Sequence, residues 1–180
     1  MPPPEVRSIK DMIFWQYAKI LVDIAGMSRH NSSIVKEKFA QLKAGKIAWP
    51  ENLKDFIKRS EDSARCVYCG RKTILKHERL LPLSRGGAYD GDNSVMVCMN
   101  CSHSKGEKRM YEFYGLENRD TIPKIAEAKY LNLLYRLHQK RGTLDESEVR
   151  KMCVRCDMAN LCPEKEILSV YCLEGCFTKT

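Results

Sequence analysis

The 180-residue sequence predicts an α+β chain: a short cysteine-knuckled segment of β character, flanked on both sides by helices and followed by a second cysteine-rich stretch. Three observations lead there. Apolar residues recur at helical spacing before residue 62 and again after residue 120. Between them stand two Cys-x-x-Cys pairs, Cys66/Cys69 and Cys98/Cys101, with glycine turns and short β-like runs around them. The composition, 43% hydrophobic and 30% charged, is that of a chain able to bury a core.

The elements divide into four stretches. In residues 1–62, Ile13, Tyr17, Ile20, Leu21 and Ile24 stripe a first helix. Trp15 and Val22 make it apolar on most sides, as in a buried or interfacial helix. Asn31-Ser32-Ser33 offers N-caps for a second helix carrying Val35, Phe39 and Leu42. Trp49-Pro50 breaks the chain, and Leu53, Phe56 and Ile57 mark a third helix. A helical bundle accounts for this stretch; no residue pattern singles out a DNA-reading helix-turn-helix. Residues 63–115 hold the knuckles and two β-like runs, Thr73–Leu75 and Ser94–Val97. In residues 116–150, Ala126, Tyr130, Leu133, Leu134 and Leu137 stripe a long helix. Pro123 suits its first turn and Gly142 its end. Residues 151–180 contain five of the nine cysteines.

Charge and cysteine usage narrow the function. Lys plus Arg outnumber Asp plus Glu by 31 to 23, a net +8. The densest excess lies in residues 64–115, where nine basic residues meet five acidic ones. That suits a polyanionic partner such as nucleic acid. Met12–Ala25, the most apolar stretch, carries Gln16, Lys19 and Asp23 and is too short for a membrane span, so no membrane partner is expected. No basic n-region precedes it, so the expectation is a cytoplasmic protein with reduced thiols, in which clustered cysteines point to metal.

Cys66, Cys69, Cys98 and Cys101 form two matching knuckles separated by 28 residues. Two sulfurs per knuckle, from two knuckles, complete the closed tetrahedral thiolate shell of structural Zn²⁺. Such a shell leaves no position for water, so this ion stabilises the fold.

Between and after the knuckles stand Cys66-Val67-Tyr68-Cys69-Gly70, Pro82-Leu83-Ser84-Arg85-Gly86-Gly87, Asp92-Asn93-Ser94-Val95-Met96-Val97-Cys98 and Cys101-Ser102-His103-Ser104-Lys105-Gly106. In order and spacing these pieces resemble the HNH, or ββα-metal, endonuclease family, over about Arg65 to Lys108. The resemblance implies a β-hairpin followed by a helix gripping Mg²⁺ or another divalent cation, and metal-dependent hydrolysis of DNA phosphodiester bonds. The chemistry requires a cation to neutralise charge developing on phosphate, and a base near pH 7 to activate water. At the family's acid–His positions, four and three residues before Pro82, stand Glu78 and Arg79. Glu78 suits Mg²⁺, but a guanidinium cannot act as a base. His77 lies beside them; on a regular strand it shares a face with Arg79 while Glu78 points away, and a bulge or bend would bring His77 and Glu78 together. Ser102 occupies a ligand position, with His103 one step later, a turn of ~100° on a helix. The resulting expectation has Glu78 and His103 holding the cation, His77 activating water and Asn93 tying the intervening loop. Arg79, Arg85, Lys105, Lys108 and Arg109 are the phosphate-binding candidates.

In the tail, Cys153, Cys156 and Cys162 are followed by Cys172 and Cys176. The trio is similar to the cysteines that hold a [4Fe–4S] cluster in RecB-type nucleases, with a fourth ligand from Cys172 or Cys176. Zinc uses the same thiolates, so a cluster and a second Zn²⁺ both stand open. His30 and His138 read as surface or satisfied polar residues. Two further functional classes stay beside the nuclease: a catalytically silent nucleic-acid-binding module, for DNA first and RNA as an alternative, and a redox or interaction module built on the tail. The apolar first helix adds the expectation of a homodimer through the N-terminal helices.

Overall fold

The computed structural model describes residues 2–60, 64–147, 149–162 and 169–176. The described chain is mixed α+β, mostly helical, with one two-stranded antiparallel sheet. It divides into two compact units, Met1–Pro50 with Leu134–Thr180, and Glu51–Leu133. The expected boundary at residues 62 and 63 lies outside the described residues. The units cut across the four stretches read from the sequence. The third helix belongs with the knuckles, and the tail belongs with the N-terminal helices, because packing follows contact rather than chain order.

In the first unit, α1 (Ile9–Ile24) packs on α2 (Ser32–Lys43). Ser8 caps α1: its hydroxyl accepts from the Asp11 amide at 3.1 Å, and the Asp11 carboxylate accepts from the Ser8 and Arg7 amides. Asn31 caps α2 through the Ile34 amide. Ile13, Trp15, Tyr17, Ile20 and Val22 are all buried in the chain itself, and Val35, Phe39 and Leu42 with them. Of the same stripe, Leu21 is half-buried and Ile24 is 40% exposed. Short helices α7 (Met152–Arg155) and α8 (Val170–Gly175) complete this unit, α8 against α1.

In the second unit, α3 (Glu51–Ser60) precedes strands β1 (Leu75–Arg79) and β2 (Ser94–Cys98), then α4 (Met99–Lys105) and α5 (Met110–Tyr114). The first β-like run starts two residues later than expected, at Leu75. The strands pair in unbroken register, Leu75 with Cys98 through Arg79 with Ser94. α4 packs on both strands. Helix α6 (Lys124–Arg141) begins just after Pro123 and ends at Gly142, whose φ of 69° few other residues adopt. Its Ala126, Tyr130, Leu133 and Leu134 are buried as the stripe predicts. The division between the units passes through α6. No described helix is long and apolar enough to cross a membrane.

Candidate metal centre

The two knuckles are built differently. Cys66 and Cys69 sit in a turn closed by the Gly70 amide donating to the Cys66 carbonyl at 2.8 Å, with Gly70 at φ 71°. An Arg65–Lys72 bridge closes the base of that turn. Cys98 ends β2 and is the N-cap of α4, and Cys101 lies in the first turn of that helix. The Val67 amide donates to the Met96 carbonyl at 2.9 Å, which lays the turn against β2.

The four sulfurs come together within 4.8 Å of one another, with Cys69 and Cys98 Sγ 3.7 Å apart. Among the described residues they form the one group of three or more His, Cys, Asp or Glu donors close enough to share an ion. The surroundings act in opposite directions on Cys66 and Cys101. Burial raises the Cys66 thiol, but amides of Cys98, Cys69 and Tyr68 and the Cys69 thiol outweigh it and bring it to about 7. Burial, followed by its neighbouring thiols, pushes Cys101 upward. Four soft donors at this spacing fit Zn²⁺, which would supply the positive charge that lets all four be thiolates. Tyr68, between the first two cysteines, packs its ring on Phe113 at 5.0 Å and on Tyr114 at 6.0 Å, tying the centre to α5.

Beside this centre, the structure separates the residues expected to do chemistry. In a regular ladder, alternate residues face opposite sides. Glu78, opposite buried Val95, lies on the α4 side, where the Ser102 hydroxyl donates to its Oε2 at 2.6 Å and Lys105 Nζ stands 4.0 Å from Oε1. His77 lies on the other side, exposed, opposite Met96, its Nδ1 sharing a 3.0 Å hydrogen bond with Ser94 Oγ. The bulge that would join His77 to Glu78 is absent from the five-pair ladder. His103 is exposed, because Ser102 takes the inward position on α4 and the next residue is rotated away from it. The structure thus brings Glu78 and Ser102 together but not His77, Glu78 and His103.

Asn93 is fully buried in the connection between the strands. Its Oδ1 accepts from the Leu81 amide, and its Nδ2 donates to the Leu81 and Ala88 carbonyls, all at 2.9–3.0 Å. It holds the loop, as the resemblance implies.

Of the basic candidates, Lys105 and Arg109 are buried, at 1% and 4% exposure, and so cannot reach a polyanion at the surface. Lys105 Nζ donates to the Lys108 carbonyl, and Arg109 lies over the Tyr111 ring. Arg79, Arg85 and Lys108 remain at the surface. Arg79 pairs with Glu107 at 3.1 Å and covers the exposed ring of Tyr89 at 4.8 Å.

Comparison with known protein families, with curated proteins and with solved structures finds no match to this chain.

The tail thiols are half-buried, and the expected set of Cys153, Cys156 and Cys162 with Cys172 or Cys176 is not gathered into one group. His138 is buried and bonded, sharing hydrogen bonds with Thr143 Oγ1 at 2.8 Å and the Leu173 carbonyl at 3.0 Å, which makes it a satisfied core residue. His30 is exposed. Sequence reasoning missed Lys129, whose buried ammonium donates to the Gly91 and Ser94 carbonyls at 3.0 and 2.7 Å and steadies the start of β2. Nothing in a helical charge pattern marks such a residue; only the tertiary fold puts carbonyls in its reach.

Proposed function

We propose that this chain is a zinc-scaffolded ββα module of the HNH type that binds nucleic acid, DNA foremost, without hydrolysing it. The observation that carries this reading is the placement of His77 and Glu78 on opposite faces of an unbroken ladder. Hydrolysis needs a neutral base and a hard ligand around one cation. Here the residue in the base position is Arg79, already paired with Glu107. The exposed imidazole of His77 is turned toward Ser94 instead. The support for nucleic acid is the net basic middle segment and the surface placement of Arg79, Arg85 and Lys108, whose cationic groups suit backbone phosphate.

The test is a pair of assays on the zinc-loaded full chain. Plasmid incubated with Mg²⁺ or Mn²⁺ is expected to show no nicking above an EDTA control. Duplex DNA is expected to be retarded on a gel. With three phosphate contacts, affinity falls about 40-fold from about 50 to about 200 mM salt. Replacing Arg79, Arg85 and Lys108 together by Gln flattens that dependence. Cation-dependent nicking that disappears in Glu78→Gln would overturn the silent reading and restore the endonuclease.

A further inference from the structure

Five thiols in the last 28 residues remain without a role. α7 ends at Cys156 and α8 ends at Cys176, and the two helices are in contact. Their ends are joined by the Asp157 amide donating to the Gly175 carbonyl at 3.2 Å. Cys156 Sγ lies directly over Gly175: a Cβ at that position would stand 2.5 Å from the sulfur. Gly175 is the last helical residue of α8 and has no left-handed backbone to explain it. Met158 Cε would stand 2.8 Å from the same Cβ, so the missing side chain leaves room for the sulfur and the methionine together.

Each helix carries a second thiol at a spacing that shares a helix face with the first: Cys153 precedes Cys156 by three residues and Cys172 precedes Cys176 by four. Two pairs of thiols from two packed elements therefore border one contact. The first centre follows the same logic, with one pair from a turn and one from a strand end and helix start.

We propose that Cys153, Cys156, Cys172 and Cys176 hold a second Zn²⁺ that clasps α7 to α8, with Cys162 outside the shell. The sulfurs are not yet in ligand positions: Cys176 Sγ is turned to the Leu173 carbonyl at 3.2 Å, with His138 Nε2 at 3.8 Å. Rotation about χ1 between staggered positions redirects each sulfur without moving its helix. Four thiolates close the tetrahedral shell, so Cys162 is left as a reporter thiol. The proposal does not depend on nucleic-acid binding, and its test involves none.

The test uses the intact full chain. Metal analysis of chain purified with zinc is expected to give about two zinc ions per chain. Brief alkylation with iodoacetamide, mapped by mass spectrometry, is expected to label Cys162 and spare Cys153, Cys156, Cys172 and Cys176. After chelation, Cys153 and Cys172 become labelled as fast as Cys162. Cys176→Ser is expected to leave about one zinc, and Cys162→Ser about two. One zinc in the wild-type chain, or labelling of Cys153 and Cys172 at the Cys162 rate before chelation, overturns the proposal. A brown, iron-containing preparation overturns the choice of zinc. Because alkylation is read on wild-type chain, misfolding of a variant leaves the test intact.

Discussion

Asn93 was expected to tie the loop because the resemblance to the HNH family implies that role for it. What the sequence could not show is that its amide bonds three backbone groups at once, two of them on buried Leu81. Asn93→Ala strands those groups and is expected to cost about 3 kcal/mol, read from the urea midpoint of the zinc-loaded chain. Asp11 makes a second case. Burial alone would raise its carboxyl, but the Arg7 amide, Lys43 and the Ser8 amide more than offset it and hold the group below its ordinary value. Lys43 Nζ lies 2.9 Å from its Oδ1, so one carboxylate both caps α1 and joins it to α2. A carboxylate with a lowered folded pKa adds stability that is fully present above the ordinary value and is lost as pH falls through the lowered one. Asp11→Asn is therefore expected to lose about 1 kcal/mol at pH 7, with the gap from wild type closing in acid; urea midpoints at several pH values measure it. The Ser8–Asp11 cap was not among the caps read from the sequence, and the Lys43 partner comes from another helix, which local spacing does not reveal. Ser102 was seen as a departure from a ligand position, but its bond to Glu78 arises only when α4 docks on β1.

The β-hairpin and following helix were expected as a unit from the resemblance to the HNH family; the residues themselves offered only the knuckles, glycine turns and two β-like runs. The ladder's regularity was not legible, since a bulge depends on how one strand meets another. That one feature decides which face His77 takes. The connection between the strands is equally demanding. A Cβ on Gly87 would collide with the Leu81 carbonyl and approach Asn93 Nδ2 to 2.7 Å. Gly87→Ala is expected to destabilise the zinc-loaded chain by about 2 kcal/mol, measured by thermal or urea unfolding; an unchanged midpoint would show that the loop relaxes. With zinc bound, the four-cysteine group would hold the turn of Cys66–Gly70 to the start of α4, and structural zinc contributes on the order of 10 kcal/mol. Chelation is expected to raise amide exchange across residues 64–109 by orders of magnitude, while α1 and α2 keep their protection. Uniform loss of protection would show that the ion stabilises more than its own segment.

For the whole molecule, the two units interleave along the chain. The N-terminal helices share a unit with the cysteine-rich tail, and the knuckled ββα segment shares one with α3 and the first part of α6. A sequence read in order suggests consecutive stretches, because it carries no record of which distant helices meet. The functional prediction belongs at this scale, since it needs the surface basic residues and the ladder together: the zinc-loaded chain retards DNA in a salt-dependent manner and leaves plasmid intact. By itself the sequence determined the helical flanks and the two cysteine knuckles, because spacing along the backbone fixes which side chains of a turn or helix lie near each other; the loop asparagine was expected from the family resemblance alone. Tertiary structure decided that Lys105 and Arg109 are buried, that most of α1 is buried within its own chain, and that the ladder is unbroken, which keeps His77 and Glu78 on the opposite faces of a regular strand. Those outcomes depend on which surface a helix or strand meets, and that is settled by packing between residues far apart in the chain.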